Sequence, residues 1–462
     1  MQNEVLSSIR QKFEADFASC DDFALREIKG GFICFIKNTC DREYISEQVV
    51  KPLVRLDLGL FKGDFASILE SAAFTVCNSY TEGATAVLSG NVFAAIETDS
   101  LYAVTVPADK IDMRSVSEPN SDVTVKGPRA GFNENGETSV ASLRRIIRSS
   151  ALKVLPLTVG SLTKTRVFIS YVEGRADMKL VNDIKNRLET ASAACVVDSA
   201  NLEQLLCGKS SPFFPVAGST EKVDKVASKL LAGRVALICD GSPFVLTVPY
   251  VFAESIQSAE DYLKSPYYAS FMRFLRFFSF LVSFLLPALF TAAMYHQRFV
   301  IPAPLMESLE KLEEDISLPF IVEVLVMLVV FEAIREVGVR MPRTVGDSVG
   351  IVASFILGDA VVQAGIAGTA VLLIVAFSAV TSFIVPALAN VTVLLRFAFV
   401  IAAYIAGVYG ILLLFGLTVL LLCRKKSFGA PYMSPVFPLN PEGLQDFLIA
   451  VPKKTLGRKE KL

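Results

Sequence analysis

Asp359 stands in the string GDAVVQAGIAG (358–368), between two of the most apolar stretches of the chain. A carboxylate at membrane depth is costly unless it faces a cavity, a bundle interior or a partner charge. At about 100° per residue, Ser348, Val352, Phe355, Asp359 and Gln363 fall along one face of a helix. Repeated around a ring of subunits, such a face would attract cations. Within one bundle the same aspartate would pair with a neighbouring helix and serve assembly, and the residues leave both readings open. Glu323 is a further and weaker candidate for a pore lining or a subunit interface. Glu323 and Glu332 lie nine positions apart, hence on opposite faces of one helix, so they cannot line the same pore. Glu332, Arg335 and Glu336 share a face and form a candidate intramembrane ion-pair cluster.

Other chemistry is sparse. The chain contains no P-loop, no G-x-G-x-x-G and no His/Cys cluster with metal-ligand spacing. His296 is the sole histidine. No enzyme activity, cofactor or metal is therefore expected. Cys20, Cys34, Cys40, Cys77, Cys195, Cys207 and Cys239 lack any C-x-x-C spacing and read as free thiols of a reducing compartment.

The elements that must position the polar face come from a chain of two characters. Its 462 residues carry a net charge of −1 and a mean hydropathy of +0.50. Residues 1–265 resemble an ordinary soluble protein. Between Gly346 and Leu422, by contrast, the only charges are Asp347, Asp359 and Arg396, which reads as membrane-embedded helix. The first span is 274–295, flanked by Lys264, Arg273 and Arg276, with Tyr267, Tyr268 and Tyr295 as interfacial aromatics and Pro287 as a kink. A second covers 318–334. The loop before it is acidic (Glu307, Glu310, Glu313, Glu314 and Asp315), and the one after it is basic (Arg335, Arg340 and Arg343). The positive-inside rule then places the front domain, the arginine loop and the basic tail inside. Spans at 369–389 and 397–422 leave 346–365 to form a re-entrant or broken helix that returns to the inner face, against a polar path. The opening residues lack the basic-then-apolar pattern of a secretory signal, so the front domain is expected to stay cytoplasmic.

The soluble half repeats itself. FICFIKNTCDREYISEQVV (32–50) matches VFISYVEGRADMKLVNDIK (167–185), with Asp41 and Asp177 both at a helix start where a carboxylate caps free amides. GNVFAAIETDSLYAVTVP (90–107) matches GRVALICDGSPFVLTVP (233–249). The order of matches predicts two related α/β subdomains, followed by an all-α polytopic membrane domain of about four spans plus the broken helix. The expected organisation is subdomain 1 at 1–121, a linker with a basic helix at 122–157, subdomain 2 at 158–265, the transmembrane domain at 266–426 and a cytoplasmic tail at 427–462. Arg144, Arg145 and Arg148 in the linker read as a solvated face or a subunit contact. With a net charge near zero and no interleaved aromatics, nucleic acid is not an expected partner.

Several strings resemble the A subunits of GerA-type spore germinant receptors. They are GPRAGFNE (127–134), TVGSLTKTRVFISYVEGRAD (158–177), CDGSPFVLTVP (239–249), EAIREVGVRMPRTVG (332–346), GDAVVQAG (358–365) and SFGAPYMSP (427–435), in the family's order. The resemblance implies an integral protein of the spore inner membrane, with the front domain and tail on the core side. It implies as partners a permease-like B subunit that binds the nutrient, a C-subunit lipoprotein, membrane lipid and further copies of the chain. It also implies a ring that conducts monovalent cations when nutrient binds. The same family contains a SpoVAF-type branch of accessory proteins that amplify germination. A non-conducting membrane scaffold is the reading from a different class.

Overall fold

The computed structural model describes residues 2–55, 68–69, 73–97, 101–109, 128–191, 194–207, 213–313, 316–340, 360–440, 444 and 446–449. The chain divides into two units, residues 1–211 with 216–250, and residues 212–215 with 251–462.

The first unit begins with helix α1 (Gln2–Asp16), strands β1 (Phe23–Ile28) and β2 (Gly31–Ile36) and a helical run α2 (42–55). Then come β3 (Thr75–Val76), α3 (Tyr80–Leu88), β4 (Asn91–Glu97) and β5 (Leu101–Pro107). The second half supplies α4 (Gly136–Ile146), β6 (Leu152–Val159), β7 (Thr165–Val172), α5 (Met178–Thr190) and α6 (Ser199–Cys207). It ends with β8 (Gly218–Thr220), α7 (Val223–Leu231), β9 (Val235–Cys239) and β10 (Val245–Val248). The strands form two antiparallel sheets ordered β1-β2-β4-β5-β3 and β6-β7-β9-β10-β8. The two orders are identical, so the repeat in the sequence is a repeat in topology. Asp41 accepts from the Glu43 and Tyr44 amides and Asp177 from the Lys179 amide, each capping a helix at the same point of its repeat.

Both faces of the first sheet are covered, which is why its strands read as nearly continuous apolar runs. Side chains alternate between faces along a strand. Phe32, Cys34, Phe93 and Ala95 therefore pack with Phe13 and Phe17 of α1, while Ile33, Val92, Ala94 and Ile96 pack with Ile45, Val49 and Leu53 of α2. The cysteines are free, and burial pushes the Cys40 and Cys239 thiols up to about 11.

Residues 122–157 differ from the expected linker. Residues 122–127 lie outside the described residues, but α4 and β6 belong to the second repeat, β6 as an edge strand along the whole of β7. Arg144 is no solvated residue either. It is 1% exposed, and its Nε and Nη2 donate to the two carboxylate oxygens of Asp22, both at 2.8 Å. Lys153, also buried, donates to the Asp16 and Ala18 carbonyls at 3.0 and 2.7 Å, at the negative end of α1. These cations tie the two repeats together, whereas Arg145 and Arg148 remain exposed.

The second unit holds α8 (Phe252–Ile256), α9 (Pro266–Tyr295), α10 (Ala303–Glu313), α11 (Phe320–Arg340), α12 (Thr369–Ser382), α13 (Ala389–Arg424) and the strand pair β11–β12 (Lys426–Ser427, Ala430–Pro431). Pro266–Tyr295 and Pro386–Arg424 are the stretches long and apolar enough to cross a membrane among the described residues. A straight helix of 36 residues would run about 54 Å, but α13 doubles back. At Ala406 (φ −133°, ψ 15°) and Gly407 (φ 58°, ψ −141°) the backbone leaves the helical region. The Gly407 conformation is open essentially to glycine alone. There the Tyr404 carbonyl meets His296 Nε2 at 2.9 Å, at the far end of α9. The other end of α13 returns to the base of α9: Lys425 bonds the Phe214 carbonyl and Tyr432, Tyr432 accepts the Phe252 amide, and the Phe252 ring lies 5.8 Å from that of Phe280. The two arms, 389–405 and 408–424, are each about 26 Å long.

Two expectations change accordingly. Spans at 369–389 and 397–422 become three helical arms, because Pro386 and Gly407 break the apolar run at different places. The return of 346–365 to the inner face is also replaced. Residues 341–359 lie outside the described residues, but the Gly365 carbonyl accepts from the Ser317 amide at 3.2 Å, at the start of α11. The chain therefore reappears at the end of α11 opposite to Arg340.

Removing one partner of a buried ion pair strands the other charge. Arg144→Ala should cost about 3–5 kcal/mol, and Arg148→Ala no more than about 0.5 kcal/mol. Urea-induced unfolding read by pulse proteolysis of the full chain checks both, and equal losses would contradict the burial argument.

Candidate functional site

The polar groups of the helical unit converge on Arg396. This side chain, on the first arm of α13, is fully buried. Its Nε donates to the Ser283 carbonyl at 2.8 Å, its Nη1 to Glu332 at 3.1 Å and its Nη2 to the Ser378 carbonyl at 3.1 Å. Four helices, α9, α11, α12 and α13, therefore meet at one guanidinium.

Each acceptor is available for a local reason. Pro287 sits inside α9 and has no N–H. The carbonyl four residues earlier, Ser283, consequently has no helical donor, and Arg396 fills the vacancy. Ser378 lies just before the last turn of α12, toward the negative end of the helix dipole, and its carbonyl also accepts the Thr381 hydroxyl at 2.9 Å. Glu332 supplies the formal countercharge and is itself shared with Arg335 at 3.2 Å. The planar guanidinium fork suits three acceptors in different directions, which an ammonium does not.

A second carboxylate of α11 holds the other end of α12. Glu323 is 1% exposed, and its Oε1 accepts the Gly368 N–H at 2.6 Å. Gly368 is the N-cap of α12, so an anion faces the positive end of the dipole. Opposite faces of α11 thus reach opposite ends of α12, one directly and one through Arg396.

A third cluster lies at the base of α9. Asp261 accepts from Arg273 Nε at 3.1 Å and from Arg276 Nη1 and Nη2 at 2.8 and 2.9 Å. Arg273 Nη1 also donates to the Asp446 carboxylate at 2.9 Å, and Tyr262 donates to Asp446 at 2.7 Å. Contact with the Asp446 carboxylate and burial together raise the Tyr262 phenol, burial contributing most. Of the two arginines expected to flank a span, Arg273 is buried and fastens the C-terminal segment to α9, whereas Arg276 is partly exposed and holds Asp261 alone of the two aspartates.

The family model described as Bacillus/Clostridium GerA spore germination protein matches residues 10–462. The chain belongs to the GerA spore germination family. It is 35% identical over 452 residues to spore germination protein KA of Bacillus subtilis (strain 168), covering 95% of this chain and 82% of that protein. It is 32% identical over 452 residues to the uncharacterized membrane protein YfkQ of the same strain, covering 95% and 88%. A crystal structure of the N-terminal domain of the A subunit of the Bacillus megaterium spore germinant receptor GerK3 is 24% identical, covers 54% of this chain and 95% of that one, and superposes with a TM-score of 0.39.

In this GerA-family chain the sequence-derived residues are distributed as follows. Ser348, Val352, Phe355 and Asp359 lie outside the described residues. Gln363 is exposed, at the end of a helical turn (Val361–Gln363) that precedes Gly365 at φ 62°. Glu332 and Arg335 pair with each other, while Glu336 pairs with Arg340 at 2.6 Å on the exposed end of α11. The sequence marks Arg396 only as one of three charges in an apolar stretch, and it does not single out Asp261 or Asp446. The available signal for Arg396 was its isolation in an apolar run that holds no acid after Asp359.

Arg396→Ala should destabilise the folded chain by about 1–3 kcal/mol, since the Ser283 carbonyl loses its donor while Glu332 keeps Arg335. Pro287→Ala restores a helical donor to Ser283, so its addition to Arg396→Ala should recover part of that loss. Thermal melts of the four proteins of the double-mutant cycle in detergent measure the coupling. Strict additivity would remove Pro287 from the account.

Proposed function

We propose that this chain is the A-type subunit of a nutrient-responsive germinant receptor in the spore inner membrane, and that copies of it assemble around a nutrient-gated path for monovalent cations. The family match over residues 10–462 supports this reading most. In it, a permease-like B subunit takes up the nutrient signal, a C-subunit lipoprotein completes the receptor, and the soluble unit and tail face the spore core. The face bearing Ser348, Val352, Phe355, Asp359 and Gln363 lines the path or the junction between copies. Gln363 is exposed in the single chain, as a group facing water or a second copy would be. Glu323, Glu332, Arg335 and Arg396 hold the helices that carry this face.

Potassium release from spores, followed across a panel of nutrients, tests the proposal. Deletion of the protein should abolish release to particular nutrients. Asp359→Ala should alter that release at unchanged protein abundance. Slower release to every nutrient would instead favour a SpoVAF-type accessory role. Unchanged release in both strains would leave a scaffold and end the case for a cation path.

A further inference from the structure

The duplication of the soluble unit allows its two halves to be compared position by position. Gly90 and Gly233, at φ 91° and 90°, follow α3 and α7 and lead into β4 and β9. Four residues before these glycines stand Ala86 and Lys229. Three residues after them stand Phe93 and Ala236, which pair with Thr105 and Thr247 on the next strand. Ala86 and Lys229 are therefore equivalent, as are Thr105 and Thr247.

Both threonines make the same bond to the edge strand. Thr105 Oγ1 donates to the Thr75 carbonyl at 3.4 Å, and Thr247 Oγ1 donates to the Gly218 carbonyl at 3.2 Å. A hydroxyl that donates still has lone pairs with which to accept. In the second repeat Lys229 Nζ uses them, donating to Thr247 Oγ1 at 3.0 Å beneath the Tyr250 ring, whose centroid is 5.1 Å away. That space is full: a Cβ added to Gly218 would lie 2.8 Å from Lys229 Nζ.

In the first repeat the ammonium is missing because Ala86 ends at its methyl group. An open cleft of about 490 Å³ occupies this position, lined among others by Thr75, Cys77, Glu82, Thr85, Ala86 and Thr105. Among the described residues Thr105 Oγ1 meets only a weak donor in place of an ammonium, Cys77 Sγ at 3.8 Å. Glu82 on the cleft wall adds a negative charge, one oxygen of which accepts the Asn78 amide at 3.1 Å.

We propose that this cleft binds a small primary alkylammonium ion, which donates to Thr105 Oγ1 beside Glu82 and takes the place that Lys229 Nζ holds in the second repeat. The bound group needs one charge, up to three N–H donors and a short apolar stem alongside Ala86 and Val76.

Cys77 lines the cleft and is partly exposed, so its alkylation by iodoacetamide reports occupancy. Full-length protein in detergent is alkylated with n-butylammonium chloride, with butan-1-ol or with sodium chloride, and each cysteine is read by mass spectrometry. Exposed Cys195 serves as the reactivity control, and buried Cys34 reports that each variant is folded. Butylammonium should suppress Cys77 alkylation while butanol and sodium chloride do not. Thr105→Val should abolish that protection with Cys77 still reactive. Ala86→Lys should suppress Cys77 alkylation without any amine, because the side chain fills the cleft as Lys229 does. Equal protection by butanol, no protection by butylammonium, or an Ala86→Lys variant with buried Cys34 and fully reactive Cys77 would each overturn the proposal.

Discussion

A single buried guanidinium sets the terms for the helical unit. Taking Arg396 out of water costs several kcal/mol unless every direction it donates in finds an acceptor. The chain meets this requirement with a carboxylate and two backbone carbonyls drawn from three different helices. The requirement acts in both directions. Ser283 would be an unpaired carbonyl under Pro287 without Arg396, and Arg396 would be an unpaired cation without Ser283, Ser378 and Glu332. A proline that would weaken an isolated helix is therefore part of the joint that fixes α9 against α13.

The same logic explains how a helix as short as α12 keeps its place. Its apolarity is almost uniform around the circumference, so a hydrophobic stripe does little to orient it. Its ends are polar, and both are held: Glu323 at the amino end and Arg396 at the carboxyl end. Each charge has the sign that the helix dipole favours. Both connections trace back to α11, through Glu323 directly and through Glu332 by way of Arg396, so α11 and α12 are positioned as a pair. The segment bearing Gln363 joins this pair at Gly365 and Gly368, which makes its location a consequence of the charge arrangement.

The soluble unit uses duplication with divergence. Both repeats keep the same strand order, the same aspartate cap and the same threonine-to-edge bond. They differ in what fills the space beneath the helix, a lysine in one copy and a cleft in the other. They are joined by Arg144 and Lys153, cations that the second repeat inserts among acceptors of the first. Two sheets joined only by an exposed loop would move independently, and a buried bidentate pair prevents that.

Local patterns were legible in the sequence alone. The periodicity of the strands, the aspartates at helix starts, the repeated motifs and the sustained apolar stretches each depend on neighbours a few residues apart, so the α/β front half and the helical back half follow from composition and spacing. The family strings were legible for the same reason. Other features depended on partners distant in sequence. Arg144 has the spacing of a solvated helix face and is buried only because Asp22, more than a hundred residues earlier, folds against it. Arg396 looked like a terminal charge and is central, because Pro287 frees a carbonyl on a helix that folds beside it. The apolar run from 369 to 424 fixed the total length of helix but not its number of turns, since hydropathy is the same whether a helix continues or doubles back. Tertiary structure decided that at Gly407, where the absence of a Cβ lets the backbone reverse beside His296 and Gln297.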